Sequence, residues 1–298
     1  MGTIPAAPAV SYEDVIELWI AERTNAKQPP RPKAITARRT KLKRFFDWLG
    51  RGTDMASVTL ADLQRYKESL MHQPGGIAFD HLAETKTTYR FADRNNRFLN
   101  GNPADKLVVP KKPPHEERRA FTDEEAARIL IAARSADPLV RWANWLAAFT
   151  DTITEEIVGA RREDFYQIGD IWVFDMTGRT LKSAFRSRGL PLHSALVREG
   201  FTDWLESLPA GPVFEDSDPT RASAALMRFI RSQGITDRNA VFYSWRHRVI
   251  TQLEDVTTPD RARFIAGHSA KDVHAKHYLH HQLPQLIAAI EGLADPTA

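Results

Sequence analysis

The run IWVFDMTGRTLKSAFRSRGLPLH, Ile171 to His193, is where the chain stops reading as helix. A β-rich stretch, a Thr-Gly turn and a second extended stretch follow one another, which predicts a small antiparallel sheet. On both sides of it the apolar residues return at helical spacing. The fold class expected is therefore mainly α with a small antiparallel β-sheet, the sheet lying in the second half of the chain.

Working upstream, Asp137 and Pro138 open a helix over DPLVRWANWLAAF. FTDEEAARIL begins with a capping box, Thr122 with Glu125, ahead of Ala126, Ile129 and Leu130. Before that, NPADKLVVPKKPPHEERR (102–119) breaks all periodicity with four prolines and a run of charge, as an interdomain linker does. The expected division is a helical domain over 1–110, a linker over 111–119 and a second domain over 120–298. Four helices are expected in the first domain: one from Ser11 burying Tyr12, Val15, Ile16, Trp19 and Ile20; one burying Leu42, Phe45, Phe46 and Leu49 and stopping at Gly50; one capped by Thr59; and one from about Asp80 to Leu99.

Charge is unevenly spread. Residues 1–119 hold 21 Lys+Arg against 14 Asp+Glu, a balance of +7, and the remainder holds 20 against 24, a balance of −4. The first third is thus the part expected to face a polyanion. Arg38, Arg39, Lys41 and Lys43 crowd the second helix, and Lys86, Arg90, Arg94 and Arg97 fall at i, i+4, i+8 and i+11, one face of the fourth. A solvated surface explains either cluster alone, whereas the two together read as a surface that tracks phosphates.

Composition closes off several chemistries. With no cysteine there is no disulfide framework, zinc-thiolate site or thiol nucleophile, so covalent chemistry must use oxygen or nitrogen. The opening MGTIPAAPAV lacks a basic stretch with an apolar run behind it, and no window approaches the roughly 18 apolar residues of a membrane span, so a cytoplasmic protein without a membrane partner is expected. A chain of 298 residues, 42% hydrophobic, can bury two cores.

Downstream of the sheet, FYSWRHR sets Tyr243 and Arg246 three apart near a helix start where Ser244 could cap, and GHSAKDVHAKHYLHH holds five of the ten histidines and Tyr278. His274, His277 and His281 have helical spacings that could hold a metal, but no carboxylate or further histidine completes the set, so no metal is expected. Taken singly, Lys182 reads as a surface lysine and Tyr278 as packing. Their order together with Arg246 and His268 is what lifts them above that reading.

In that order, FTDTITEEIVGARREDF, LKSAFRSRGLPLH, FYSWRHR and IAGHSAKDVHAKHYLH resemble the signatures of the tyrosine recombinases, the phage integrase family. ITARRTKLKRFFDWLG, VTLADLQRYKESLM and NPAD resemble that family's helical core-binding domain. The resemblance implies a two-domain clamp around double-stranded DNA, with homo-oligomers up to tetramers, or mixed assemblies beside an active recombinase, working on a mobile genetic element. It implies that Tyr278 is the nucleophile, Lys182 the general acid on the leaving oxygen, Arg246 and His268 the phosphate ligands, and Glu156 the support of the active-site arginines. No cofactor is implied, because the phosphotyrosine conserves the bond energy.

The chain departs from the family at three points. Ile153 stands where an arginine is expected three residues before the glutamate, Asp151 replaces a usual glycine, and Tyr243 replaces a histidine that handles the nucleophile's proton. Arg161 and Arg162 lie about 12–13 Å further along a helix and cannot substitute. A tyrosine, with an ordinary pKa near 10, donates to phosphate but is a poor base. Loss of a catalytic arginine costs phosphoryl transfer roughly 10³- to 10⁵-fold, so cleavage is expected to be impaired. A fully active recombinase and a helical DNA-binding regulator with no part in recombination are the alternatives. The tail QLPQLIAAIEGL places Leu283, Leu286, Ile287 and Ile290 on one helix face, suited either to a neighbouring protomer or to its own domain.

Overall fold

The computed structural model describes residues 9–24, 29–50, 52, 54–73, 76–97, 101–112, 117–177, 188–215, 218–267 and 282–298, and the backbone of 275–281. Contacts divide the chain into two compact units, Met1–His115 and Glu116–Ala298. Among the described residues it is mainly helical with one three-stranded sheet, and no helix is long and apolar enough to cross a membrane.

The first unit contains α1 (Tyr12–Thr24), α2 (Pro32–Leu49), α3 (Leu60–Met71) and α4 (Ile77–Arg94). Local chemistry sets their ends. Gly50 takes the left-handed φ of 69° that closes α2, and Thr59 and Asp62 exchange hydrogen bonds as a capping box at the start of α3. The apolar faces meet in one core, where Tyr12 stacks on Phe46 at 4.8 Å and Phe45 tilts against Tyr66 at 4.8 Å. Each such ring contributes about 1.5–3 kcal/mol by leaving water. The fourth helix differs from the expected span: it starts earlier and ends at Arg94, because Asn96 turns left-handed at φ 53° and the Arg97 N–H folds back onto the Ala92 carbonyl.

The second unit opens with α5 (Asp123–Ala133), its Thr122–Glu125 box formed, and α6 (Pro138–Thr150), capped by Asp137. A short α7 (Thr154–Val158) leads to β1 (Phe165–Ile168), β2 (Ile171–Asp175) and β3 (Gly189–Pro191), antiparallel in the order β1-β2-β3. β2 and β3 are the two expected stretches. β1, joined to β2 by a turn at left-handed Gly169, was not anticipated. After the sheet come α8 (Ser194–Arg198), α9 (Phe201–Glu206), α10 (Pro219–Ser232), α11 (Ser244–Val256), α12 (Pro259–Ile265) and α13 (Ala275–Glu291). The core centres on α6, with Trp145 and Phe149 fully buried and Asn144 accepting the Trp245 indole N–H at 2.9 Å.

The tail sits on its own unit. Leu286, Ala289, Ile290 and Leu293 are buried in that unit's core, and α13 packs on β3. His193 fastens it: Nδ1 accepts the Ala195 N–H at 2.9 Å at the start of α8, which leaves Nε2–H to donate to the Leu293 carbonyl at 3.2 Å. Burial pushes this imidazole below its ordinary value, against the nearby Glu291 carboxylate. An unfolded chain therefore binds more protons than the folded one once pH falls below about 6.5, and stability is lost as pH drops. The urea midpoint should fall between about pH 7.5 and 5.5, and His193→Asn should flatten part of that fall. Equal pH slopes in the two chains would dismiss His193 as a contributor.

Candidate active site

The site begins where α6 ends. Asp151 follows Thr150 with φ 54°, a left-handed conformation that glycine adopts freely and that aspartate tolerates better than most residues. The turn carries the chain into α7, where the backbone N–H of Ile153 donates to Glu156 Oε2 at 3.0 Å. Glu156 thereby caps its own helix with one oxygen and presents the other inward. Ile153 is half-buried.

Arg246 lies on the first turn of α11. Ser244 does not cap that helix from outside but is its first residue, its Oγ accepting the Val241 N–H at 2.9 Å. From this turn the Arg246 guanidinium reaches back to the end of α6. Nη1 donates to the Asp151 carbonyl at 3.0 Å and stands 2.9 Å from Asp151 Oδ2, while Nη2 donates to the Ala266 carbonyl at 2.6 Å.

A second guanidinium completes the group. Arg188, just before β3, is fixed by its own carbonyl accepting the Met176 N–H at 2.8 Å, an extension of the sheet ladder. Its Nε donates to the Ile265 carbonyl at 2.7 Å, Nη1 to Glu156 Oε1 at 3.3 Å and Nη2 to the Asp151 carbonyl at 3.4 Å. The two arginines thus share one carbonyl and receive a carboxylate each. All four side chains are at most 1% exposed. Burial pushes the Arg188 guanidinium below its ordinary value, and the carboxylates of Glu156 and Asp151 oppose this. Arginine keeps its proton even so, and charges this deep persist only when paired.

Tyr243, half-buried at the start of α11, has its ring centroid 5.8 Å from Arg246 Cζ and 5.5 Å from Arg118 Cζ, and meets His247 edge-on at 5.2 Å. Burial lowers the His247 pKa, and Arg118 and Arg246 lower it further. Of the expected catalytic residues, the structure brings Arg246 and Glu156 into one buried cluster and sets Tyr243 beside it. Lys182 and His268 lie outside the described residues. Tyr278 falls within α13, its side chain outside what is described, as are those of His274, His277, His280 and His281. Among the described residues no group of three His, Asp or Glu could hold a metal. Sequence reasoning passed over Arg188, although it lies in the quoted run LKSAFRSRGLPLH; the need of Glu156 for a cation shows only once its burial is known.

The basic surface of the first unit is narrower than expected. Arg38 is 8% exposed, ion-paired with Glu84 at 2.6 Å and laid over the Trp19 ring at 3.9 Å, so it braces α1 against α2 and α4. Lys86 directs its ammonium to the Asp105 and Leu107 carbonyls at 3.1 and 2.6 Å, tying down the chain after α4. Arg39 and Lys43 are exposed but paired with Glu17 and Asp47, and Lys41 is half-exposed. Arg90, Arg94 and Arg97 stay exposed, with no ion-pair partner among the described residues.

No family model matches the chain. Over 114 residues it is 36% identical to tyrosine recombinase XerC 2 of Ralstonia nicotianae, a match covering 35% of this chain and 33% of that relative. The chain thus spans about a third of the length of the curated relative it matches. Solved structures resemble it over far more. A lambda integrase dimer bound to a COC' core site has a TM-score of 0.67 at 16% identity, covering 92% of this chain and 78% of that one. A lambda integrase tetramer bound to a Holliday junction gives 0.65 at 16% identity, over 91% and 77%. The Tn1549 transposon integrase in complex with transposon right end DNA gives 0.60 at 12% identity, over 92% and 100%. The chain has the tyrosine-recombinase fold. Within it, the helix end that carries Asp151, the first turns of α7 and α11, and the edge strand β3 converge on one point, which is why four residues up to 95 positions apart share a cluster.

Proposed function

We propose that the chain is an integrase-like DNA-binding protein of site-specific recombination whose strand cleavage is attenuated. The observation that supports this is the buried cluster of Arg246, Arg188, Glu156 and Asp151, a guanidinium pair of the kind that grips a phosphodiester, in a chain with isoleucine at position 153. In this reading the Tyr278 hydroxyl attacks the phosphorus and gives up its proton to water, the new phosphotyrosine bond replaces the phosphodiester bond to the leaving sugar, and Lys182 gives that 5′-oxygen its proton. Arg246 and His268 hold the non-bridging oxygens, Tyr243 adds a neutral donor, and Glu156 holds Arg188. The reaction needs no cofactor, since each bond broken is matched by one formed. Double-stranded DNA is the partner, on which copies of the chain assemble as dimers or tetramers, or beside an active recombinase, in the service of a mobile element.

Incubating the full chain with a pool of nicked duplexes of randomised core sequence tests the reading. Salt-sensitive duplex binding is expected, with only a trace of covalent adduct, and Tyr278→Phe should remove that trace while binding persists. Absence of duplex binding at low salt would defeat the proposal. Changing Arg90, Arg94 and Arg97 together to Ala should flatten the plot of log affinity against log salt by roughly 2–3 units, since each phosphate contact contributes about 0.9. An unchanged slope would remove these residues from the interface.

A further inference from the structure

Arg246 already holds an anion. Its Nη1 lies 2.9 Å from Asp151 Oδ2, with Asp151 0% and Arg246 1% exposed. Carboxylate and phosphate are the two groups that a guanidinium fork suits best, and they compete for the same N–H groups. The backbone contributes to the placement: at φ 54° Asp151 holds a conformation unfavourable to most side chains, and that conformation directs its carboxylate inward against the arginine. A tethered carboxylate also competes at an effective concentration that no free ion matches at ordinary dilution. Arg188, meanwhile, is engaged by Glu156 and by the Asp151 carbonyl, so both guanidiniums depend on this one helix end.

We infer that Arg246 and Arg188 form a phosphate-accepting site that the chain keeps filled with its own carboxylate, Asp151, which a phosphate must displace before it can be gripped. This deepens the recombinase reading and rests on it for the identity of the phosphate as a DNA phosphodiester. The anion site itself does not require DNA. Ile153 and Asp151 then act in the same direction, one withholding a cation and the other neutralising one that remains.

Inorganic phosphate is the probe. The melting temperature of the full chain, of Asp151→Asn and of Asp151→Gly is followed over a phosphate series, with chloride adjusted to constant ionic strength. Asn keeps the shape and tolerates the left-handed φ, and Gly adopts it freely, so at least one variant should fold, which circular dichroism checks. The unaltered chain should not respond, both variants should gain several degrees by mass action, and adding Arg246→Gln to Asp151→Asn should abolish the gain. Variants no more responsive than the unaltered chain would overturn the inference, and so would a gain that survives Arg246→Gln. If both variants unfold, failure of phosphate to restore them overturns it too. A further measurement needs no Asp151 variant: phosphate stabilisation of the unaltered chain that disappears in Arg246→Gln would mean that Asp151 excludes nothing. Duplex binding by the same samples is scored separately, so that loss of DNA binding counts against the recombinase reading and the phosphate series alone decides the anion site.

Discussion

Ile153→Arg should raise the yield of covalent DNA adduct by about 10- to 100-fold, part of the 10³- to 10⁵-fold that a catalytic arginine contributes, or roughly 4–7 kcal/mol in full. Position 153 is half-buried at the start of α7, so a longer side chain has a route outward. Recovery is partial for two structural reasons. The Glu156 oxygen nearest the cluster is already taken by Arg188 at 3.3 Å, and the Asp151 carboxylate still neutralises Arg246. Adding Tyr243→His should increase the yield further by restoring a base of suitable pKa. The gain must vanish in Tyr278→Phe. If the triple replacement Ile153→Arg, Tyr243→His and Asp151→Gly binds DNA and traps none, the site has decayed beyond these positions.

The second large effect is on stability. Glu156→Ala strips Arg188 of its carboxylate in a pocket closed to water, and removing one partner of a buried pair costs about 3–5 kcal/mol. It also removes the acceptor for the Ile153 N–H at the start of α7. In a unit of this size each kcal/mol moves the melting temperature by roughly 2–4 °C, so a drop on the order of 10 °C is expected. Glu156→Gln, which keeps an acceptor, should lose less. A melting temperature within a degree of the unaltered chain would show that the pair contributes nothing, and Arg188 would lose its place in the site.

What the sequence revealed, and what it hid, follows from range. Gly50, Thr59, Thr122 and Asp137 end or begin helices through hydrogen bonds spanning at most four residues, and all four were readable. The end of α4 was misplaced by a few residues because helical spacing continues to Arg97 while the backbone turns at Asn96. β1 escaped notice because Phe165–Ile168 is only four residues long and carries no alternation to speak of. Arg246 and Glu156 were identified only through the ordered motifs they belong to. Arg188 meets Glu156 across 32 positions and Asp151 meets Arg246 across 95, and no local pattern announces either. Arg38 was equally illegible at short range: a basic residue on a basic helix, it pairs with Glu84 across 46 positions and lies over the Trp19 ring.

The decisive comparison is the covalent adduct formed by the unaltered chain and by the Ile153→Arg, Asp151→Gly variant on the same nicked duplex at equal occupancy. Attenuated cleavage requires the unaltered chain to trap at least about 10²-fold less, with the adduct of both dependent on Tyr278. Equal trapping by the unaltered chain would contradict it, since neither the missing arginine nor the Asp151 carboxylate would then limit the reaction.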